Sequence, residues 1–206
     1  MSTVSGGPYL KRGLINYWPM NGSSIDVIGA NDGVDTSINY VDGKVEECAD
    51  FNGATSEIDI STITITTSDK NTISLWFNTN SFPLVLLTGV PGGQPYIGAI
   101  TTTQSYLSCV SPSEEVFFSF NFSTGIWYNH VWVFNNGTIK LFVNGVESIT
   151  GVKSFTGQFY FNKIGGYNAG YDINGLVDEI AVWNRVLSEN EILGLYNNGI
   201  GIKIRT

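Results

Sequence analysis

Apolar side chains recur along this chain every second residue, the period of strands, far more often than every third or fourth. Glu57, Ile58, Asp59 and Ile60, then Ile63, Thr64 and Ile65, give residues 56–65 one apolar and one polar face. Residues 72–77 and 128–134 are dense in β-branched and aromatic residues, the composition of buried strands. Asn135-Asn136-Gly137 and Asn144-Gly145 supply residues that tolerate positive φ, which tight hairpin turns need. They predict a three-stranded meander over residues 128–134, 138–143 and 146–149. A single helix is predicted over residues 189–197. Ser188 caps it, Glu191 completes a capping box, Leu187 staples onto Ile192, and Gly199 suits the left-handed stop. No linker, repeat or composition break interrupts the pattern, so one all-β domain is expected over residues 13–206, preceded by a flexible or docking arm over residues 1–12.

Composition narrows the function classes. Hydrophobic residues make up 42% of the 206 positions and aromatic residues 13%, enough for one sizeable core. Charged residues are only 14%, with a net charge of −8. That field repels phosphate backbones and anionic membrane surfaces, which excludes nucleic acid and membranes as expected partners. No apolar run reaches the roughly 20 residues of a membrane span, and the first residues carry no basic end followed by an apolar stretch, so no secretory signal is read. Cys48 and Cys109 are expected to be buried free thiols, since two cysteines make no disulfide framework. Asn21, Asn121 and Asn136 head glycosylation-type triplets, which chance explains in a chain so rich in Asn, Ser and Thr.

An ordered set of short motifs carries a family resemblance. Gly13 through Met20 resembles the opening strand of laminin-G-like jelly-roll domains of the concanavalin A-like lectin/glucanase superfamily, and Asp26 with Asn31-Asp32-Gly33 resembles their polar first loop. Gly43-Lys44-Val45, Phe51-Asn52-Gly53, Ile73 to Phe77, Trp127 to Val131 and Leu141 to Gly145 are similar to the pieces that follow. The strongest stretch is Gly175 to Ile180, then Trp183-Asn184-Arg185, Leu187-Ser188, Glu191-Ile192 and Leu195-Tyr196. The resemblance implies a two-sheet antiparallel jelly-roll sandwich with one short C-terminal helix and six or seven strands in each sheet. Residues 82–120 match no piece of it.

That superfamily includes glycoside hydrolases, so paired acids matter. Glu57 and Asp59 resemble the start of the endoglucanases' catalytic strand, but Ser61 and Thr62 stand where a further acid would follow, and a solvent-facing strand explains the pair as well. His130, the sole histidine, has no nucleophile-elbow partner and reads as packing. The resemblance also implies a calcium ion, for which Asp26, Asn31, Asp32 and Asp178 would converge if the first and last strands pair. The alternative is a turn plus a salt bridge from Asp178 or Glu179 to Arg185.

Aromatic residues among Gly, Asn and Gln suit sugar recognition, where a ring stacks on the pyranose and amides or carboxylates bond the hydroxyls. Tyr96, Tyr106, Tyr167, Asn168, Tyr171 and Asp172 are the candidate glycan-binding residues, with packing over the sandwich rim as the competing explanation; Trp18, Trp76 and Trp132 are expected in the core. The expectation is a non-enzymatic recognition or assembly module. Its setting would be a phage virion surface, as a decoration, fibre or tail component, or otherwise the extracellular space. Its partners would be glycans or host-surface polysaccharide and other virion or surface proteins, with homo-oligomerisation admitted. A secreted or cell-surface lectin is the first alternative and a glycoside hydrolase with displaced acids the second.

Overall fold

The computed structural model describes residues 9–89, 93–168 and 170–204. Sixteen strands are present among them: Leu14–Trp18 (β1), Val34–Thr36 (β2), Asn39–Asp42 (β3), Glu47–Asn52 (β4), Glu57–Ile65 (β5), Lys70–Thr79 (β6), Leu84–Thr88 (β7), Tyr96–Thr101 (β8), Gln104–Cys109 (β9), Glu114–Ser119 (β10), Trp127–Asn135 (β11), Thr138–Val143 (β12), Val146–Glu147 (β13), Lys153–Ser154 (β14), Phe159–Gly165 (β15) and Asn174–Trp183 (β16). The helix is Glu189–Tyr196 (α1). All strand pairs are antiparallel. A seven-stranded sheet runs β10-β9-β8-β7-β15-β5-β2. The other has nine strands, β13-β12-β11-β6-β16-β4-β3 with β1 on β16 and β14 on β12. Nine exceeds the six or seven expected because short strands at the rim, β13 and β14, share β12 as partner.

The two sheets stack into a sandwich, and the alternation of each strand decides what goes between them. Ile58, Ile60 and Ile65 of β5, Leu107 and Cys109 of β9, Val116 and Phe118 of β10 and Phe159, Phe161 and Ile164 of β15 meet Phe77, Trp132, Phe134 and Leu141 of the opposite sheet. β6 and β11 are buried on both faces, which suits the centre of the nine-stranded sheet. Outward side chains of β11, β12 and β16 form a second cluster: Val131, Val133, Phe142, Ala181 and Trp183 lie with Leu10, Leu187, Ile192, Leu195 and Ile204. α1 closes that face. Ser188 Oγ accepts from the Glu191 N–H, the Glu191 carboxylate accepts from the Ser188 N–H at 2.8 Å, and the Arg185 guanidinium holds Glu191 through both its oxygens. The helix stops at Asn197, whose φ of 48° takes the left-handed place expected of Gly199.

Both predicted hairpins form, with Asn136, Gly137, Asn144 and Gly145 at positive φ. The third meander strand keeps only Val146 and Glu147. Ile149, at 93% exposed, has nothing to pack on, so pairing ends early. Of the arm expected over 1–12, residues 1–8 lie outside the described residues. Tyr9 to Arg12 form a turn belonging to the folded unit: Leu10 is buried, its carbonyl accepts from Trp183 Nε1 at 2.7 Å, and the Tyr9 carbonyl accepts from Arg185 Nη2 at 2.8 Å. No helix among the described residues is long and apolar enough to cross a membrane.

Candidate functional site

The seven-stranded sheet carries no helix on its outward face, and its register lays one row of side chains across all seven strands. Val34 of β2 sits opposite Asp59 of β5, Asp59 opposite Lys163 of β15, and Lys163 opposite Thr88 of β7. Thr88 faces Tyr96 of β8, Tyr96 faces Ser108 of β9, and Ser108 faces Glu115 of β10. A neighbouring row runs Val85, Gly98, Tyr106 and Phe117. Because Ile97, Leu107, Val116 and Ile164 point into the core, these neighbours point away from it.

On this face the rings form a ladder. Tyr171 meets Tyr167 edge-on at 5.9 Å between centroids, Tyr167 meets Tyr96 at 5.0 Å, Tyr96 meets Tyr106 at 4.8 Å, and Tyr106 stacks on Phe117 at 6.1 Å. The structure thus brings the four sequence-predicted tyrosines together but divides their roles. Tyr96 and Tyr106 are buried, so the rim-packing explanation holds for them, whereas Tyr171 and Phe117 at the two ends are each 37% exposed. Burial pushes the Tyr96, Tyr106 and Tyr167 hydroxyls above their usual range, so these three rings stay uncharged. The Tyr96 hydroxyl donates to Glu115 Oε1 at 3.2 Å.

Residues 165–168 and 170–172 lie over this face. The Val85 N–H donates to the Tyr171 carbonyl at 2.8 Å, and the N–H groups of Tyr171 and Asp172 both donate to the Asn168 carbonyl. Gly166, at φ +60°, lies so close over Glu57 that a Cβ would sit 2.5 Å from the Glu57 Cβ. Asn168 is exposed. Asp172 is buried, its Oδ1 has no hydrogen-bond partner among the described residues, and burial pushes its carboxyl up against the pull of the Tyr167 and Asn168 N–H groups.

Glu57 and Asp59 share a single ammonium. Lys163 Nζ lies 2.8 Å from Glu57 Oε1 and 2.9 Å from Asp59 Oδ1. Burial works against the Lys163 charge, but the bonds to both carboxylates outweigh it and raise its pKa. The pair is therefore an ion triad. The next strand position, Ser61, exchanges hydrogen bonds with the Asn31 side chain through its backbone N–H and carbonyl.

Of the residues expected around calcium, Asp26, Asn31 and Asp32 share one loop and Asp178 stands on β16. Asp26 is caged by its own loop: it accepts from Asn16 Nδ2 at 2.6 Å and from the N–H groups of Tyr17, Ile28, Gly29 and Asn31. Burial opposes its charge, yet these donors hold its carboxyl below the usual range. Asp32 Oδ1 accepts from the Asp26 N–H. Asp178, on β16, serves another loop, accepting from the N–H groups of Lys44 and Val45 at 2.9 Å each. Among the described residues no three His, Cys, Asp or Glu side chains are grouped to hold a metal. Nor does Arg185 pair with Asp178 or Glu179, as the alternative required; its carboxylate partner is Glu191 at 2.6 Å.

Asp178 and Glu179 instead lie in an irregular stretch of β16, where Glu179 has a φ of 52°. The Tyr17 hydroxyl donates to Glu179 Oε2 at 2.6 Å and accepts from the Ile204 N–H. Burial pushes Asp178 up to about 7 and Glu179 up to about 9. His130 is fully buried against Phe77, 3.3 Å from Ser105 Oγ, and burial pushes it down to about 3, a packing role. Cys48 and Cys109 are free and buried, as expected, with burial pushing both thiols up to about 12. Trp18, Trp76 and Trp132 are buried.

Sequence reasoning missed Lys163, Glu115 and Phe117. A register irregularity between Phe161 and Lys163 switches the face on which β15 presents its side chains, so strict alternation mislays the lysine. Glu115 and Phe117 alternate with core residues Val116 and Phe118, a signal that was legible but lay in the stretch no motif covered.

Solved structures of other proteins share this shape. Domain 4 of an extracellular arabinanase from Geobacillus stearothermophilus, solved in complex with arabinotriose, is 22% identical with a TM-score of 0.68, over 87% of this chain and 96% of that one. The binding domain of Paraclostridial Mosquitocidal Protein 1 is 18% identical with a TM-score of 0.72, over 92% of this chain and 53% of that one. Trypanosoma rangeli sialidase is 16% identical with a TM-score of 0.63, over 93% of this chain but only 34% of its own length. At these identities the likeness is one of fold. Among curated proteins none matches the chain. The Laminin_G_3 family model matches residues 51–193, most of the chain and the greater part of both sheets, and the protein therefore belongs to the concanavalin A-like lectin/glucanases superfamily.

Proposed function

We propose that the chain is a non-catalytic carbohydrate-recognition module, and that its ligand lies across the outward face of the seven-stranded sheet. The observation that carries this reading is the aromatic ladder, buried in its middle and open at both ends, on a face that no helix covers. Tyr171 and Phe117 offer flat rings for sugar C–H faces, while Asn168, Asp172, Glu115 and Asp59 offer hydroxyl partners. The buried tyrosines give the exposed rings a rigid bed, which limits the entropy lost on binding. The arabinotriose held by the arabinanase domain lends support through the shared fold.

The finer setting, a phage virion surface with neighbouring virion proteins as docking partners, belongs to the same proposal and rests on the acidic, lightly charged composition. Capsid, portal or tail genes beside its own would support it; a run of unrelated metabolic genes would count against it. The recognition role is tested by a glycan array followed by calorimetry. Tyr171→Ala is expected to weaken binding by about tenfold, roughly 1.4 kcal/mol, with the melting temperature unchanged. Silence across diverse glycans from a folded protein would leave a pure assembly module as the better reading.

A further inference from the structure

The charge on this face says which glycans it admits. Four carboxylates, Glu57, Asp59, Glu115 and Asp172, stand on it or beneath its covering loop, against the ammonium of Lys163, which is already bound to two of them. No lysine or arginine occurs anywhere between Lys70 and Lys140, the stretch that supplies β7, β8, β9 and β10. Over the half of the sheet that carries the ladder, no strand side chain can balance a ligand's negative charge. A sialate, uronate or sulfate placed there would meet uncompensated carboxylates, and the net charge of −8 adds to the same field. A neutral sugar meets no such opposition, because its hydroxyls donate to carboxylates.

Asp172 adds an observation that itself points to a ligand. It is 8% exposed and lies beside Tyr171, and its Oδ1 has no partner among the described residues. A buried carboxylate oxygen left without a donor is costly. A hydroxyl of a sugar stacked on Tyr171 is the group that would satisfy it. The ladder sets the length of the ligand. From β7, which bonds the Tyr171 carbonyl, to β10, which carries Phe117, there are three strand spacings, about 14 Å, so the contact is with an oligosaccharide rather than a single sugar.

Resting on the recognition reading above, we infer that the site selects uncharged oligosaccharides running across the strands and rejects anionic ones, with Asp172 accepting a sugar hydroxyl and Asp59 and Glu115 repelling acids. The experiment is an array of uncharged oligosaccharides, arabinotriose, xylotriose, cellotriose and lactose among them, each printed beside its sialylated, uronic acid or sulfated counterpart, with the binders measured by calorimetry at low and high salt. Each anionic counterpart is expected to bind at least about tenfold more weakly than its neutral parent, the gap narrowing as salt rises. In the double variant Asp59→Asn, Glu115→Gln the ratio of neutral to anionic affinity is expected to fall by about threefold or more. Asp172→Ala is expected to cost neutral binding about tenfold with the far-ultraviolet spectrum unchanged. Anionic counterparts that bind as tightly as their parents, or a ratio the double variant does not move, would overturn the selectivity and leave glycan recognition standing. If no glycan of either kind binds, the recognition reading itself fails, and this inference with it.

Discussion

The two outward faces of this sandwich are built from the same strand geometry and have opposite fates. On the nine-stranded sheet the outward positions include Val131, Val133, Phe142, Ala181 and Trp183, and this apolar group draws in Leu10, α1 and the C-terminal segment to form a second core. On the seven-stranded sheet the corresponding positions include Asp59, Lys163, Thr88, Tyr96, Ser108 and Glu115, and no helix among the described residues packs on them. Burying aliphatic area is worth about 25 cal/mol per Å², so a row of valines recruits a cover. The charged groups Asp59, Lys163 and Glu115 would have to be stripped of water to be covered, and their part of the face keeps its contact with solvent, while Thr88, Tyr96 and Ser108 between them are buried. In a fold whose interior is fully occupied by its core, that asymmetry decides which face is available to a ligand.

The comparison breaks if stability and binding do not divide between the faces. Trp183→Ala removes the largest side chain of the covered face together with its bond to Leu10. It is expected to cost about 3–5 kcal/mol in denaturant unfolding. A loss under about 1 kcal/mol would show that the helix side is not a true second core. The buried acids at the edge of that face, Asp178 and Glu179, give a pH signature. Their folded pKa values are raised, so their stabilising contribution is complete below the ordinary carboxylate range and is lost as pH rises through about 7 and then about 9. The melting temperature should therefore fall from neutral to alkaline pH in the parent. Glu179→Gln should flatten that fall, with a gain of several degrees near pH 9 at about 2–4 °C per kcal/mol. An equal fall in both proteins would contradict the assignment. Ser188→Ala, which removes the cap of α1, should cost about 1 kcal/mol and leave glycan binding as it is. On the open face, Tyr171→Ala should change unfolding by less than about 0.5 kcal/mol while its effect on binding is the largest of the four. A clear stability loss there would mean the ring packs rather than presents itself.

Features whose partners lie within a few residues were readable in advance. The capping box of Ser188 and Glu191, the Asn-Gly turns at 136 and 144, and the alternation that buries Ile58 and Ile60 beneath Glu57 and Asp59 each follow from one short stretch of chain. The tyrosines of the candidate site were legible as a set because they sit among Gly and Asn. Their division into buried support and exposed ends was not, since it depends on which strands lie beside them. The same holds for Arg185, whose carboxylate partner is Glu191 beyond it in the helix rather than Asp178 or Glu179 before it on β16. It holds too for Lys163, turned onto the open face by a register irregularity and closed onto acids more than a hundred residues earlier. The sequence by itself determined the strand period, the turns, the helix and its cap, and the acidic balance. These rest on backbone preference and neighbouring side chains. Only the tertiary structure decided which face is covered, which rings reach solvent and which carboxylates share a cation. Those outcomes depend on cross-strand register, a long-range quantity that a shift of one residue inverts.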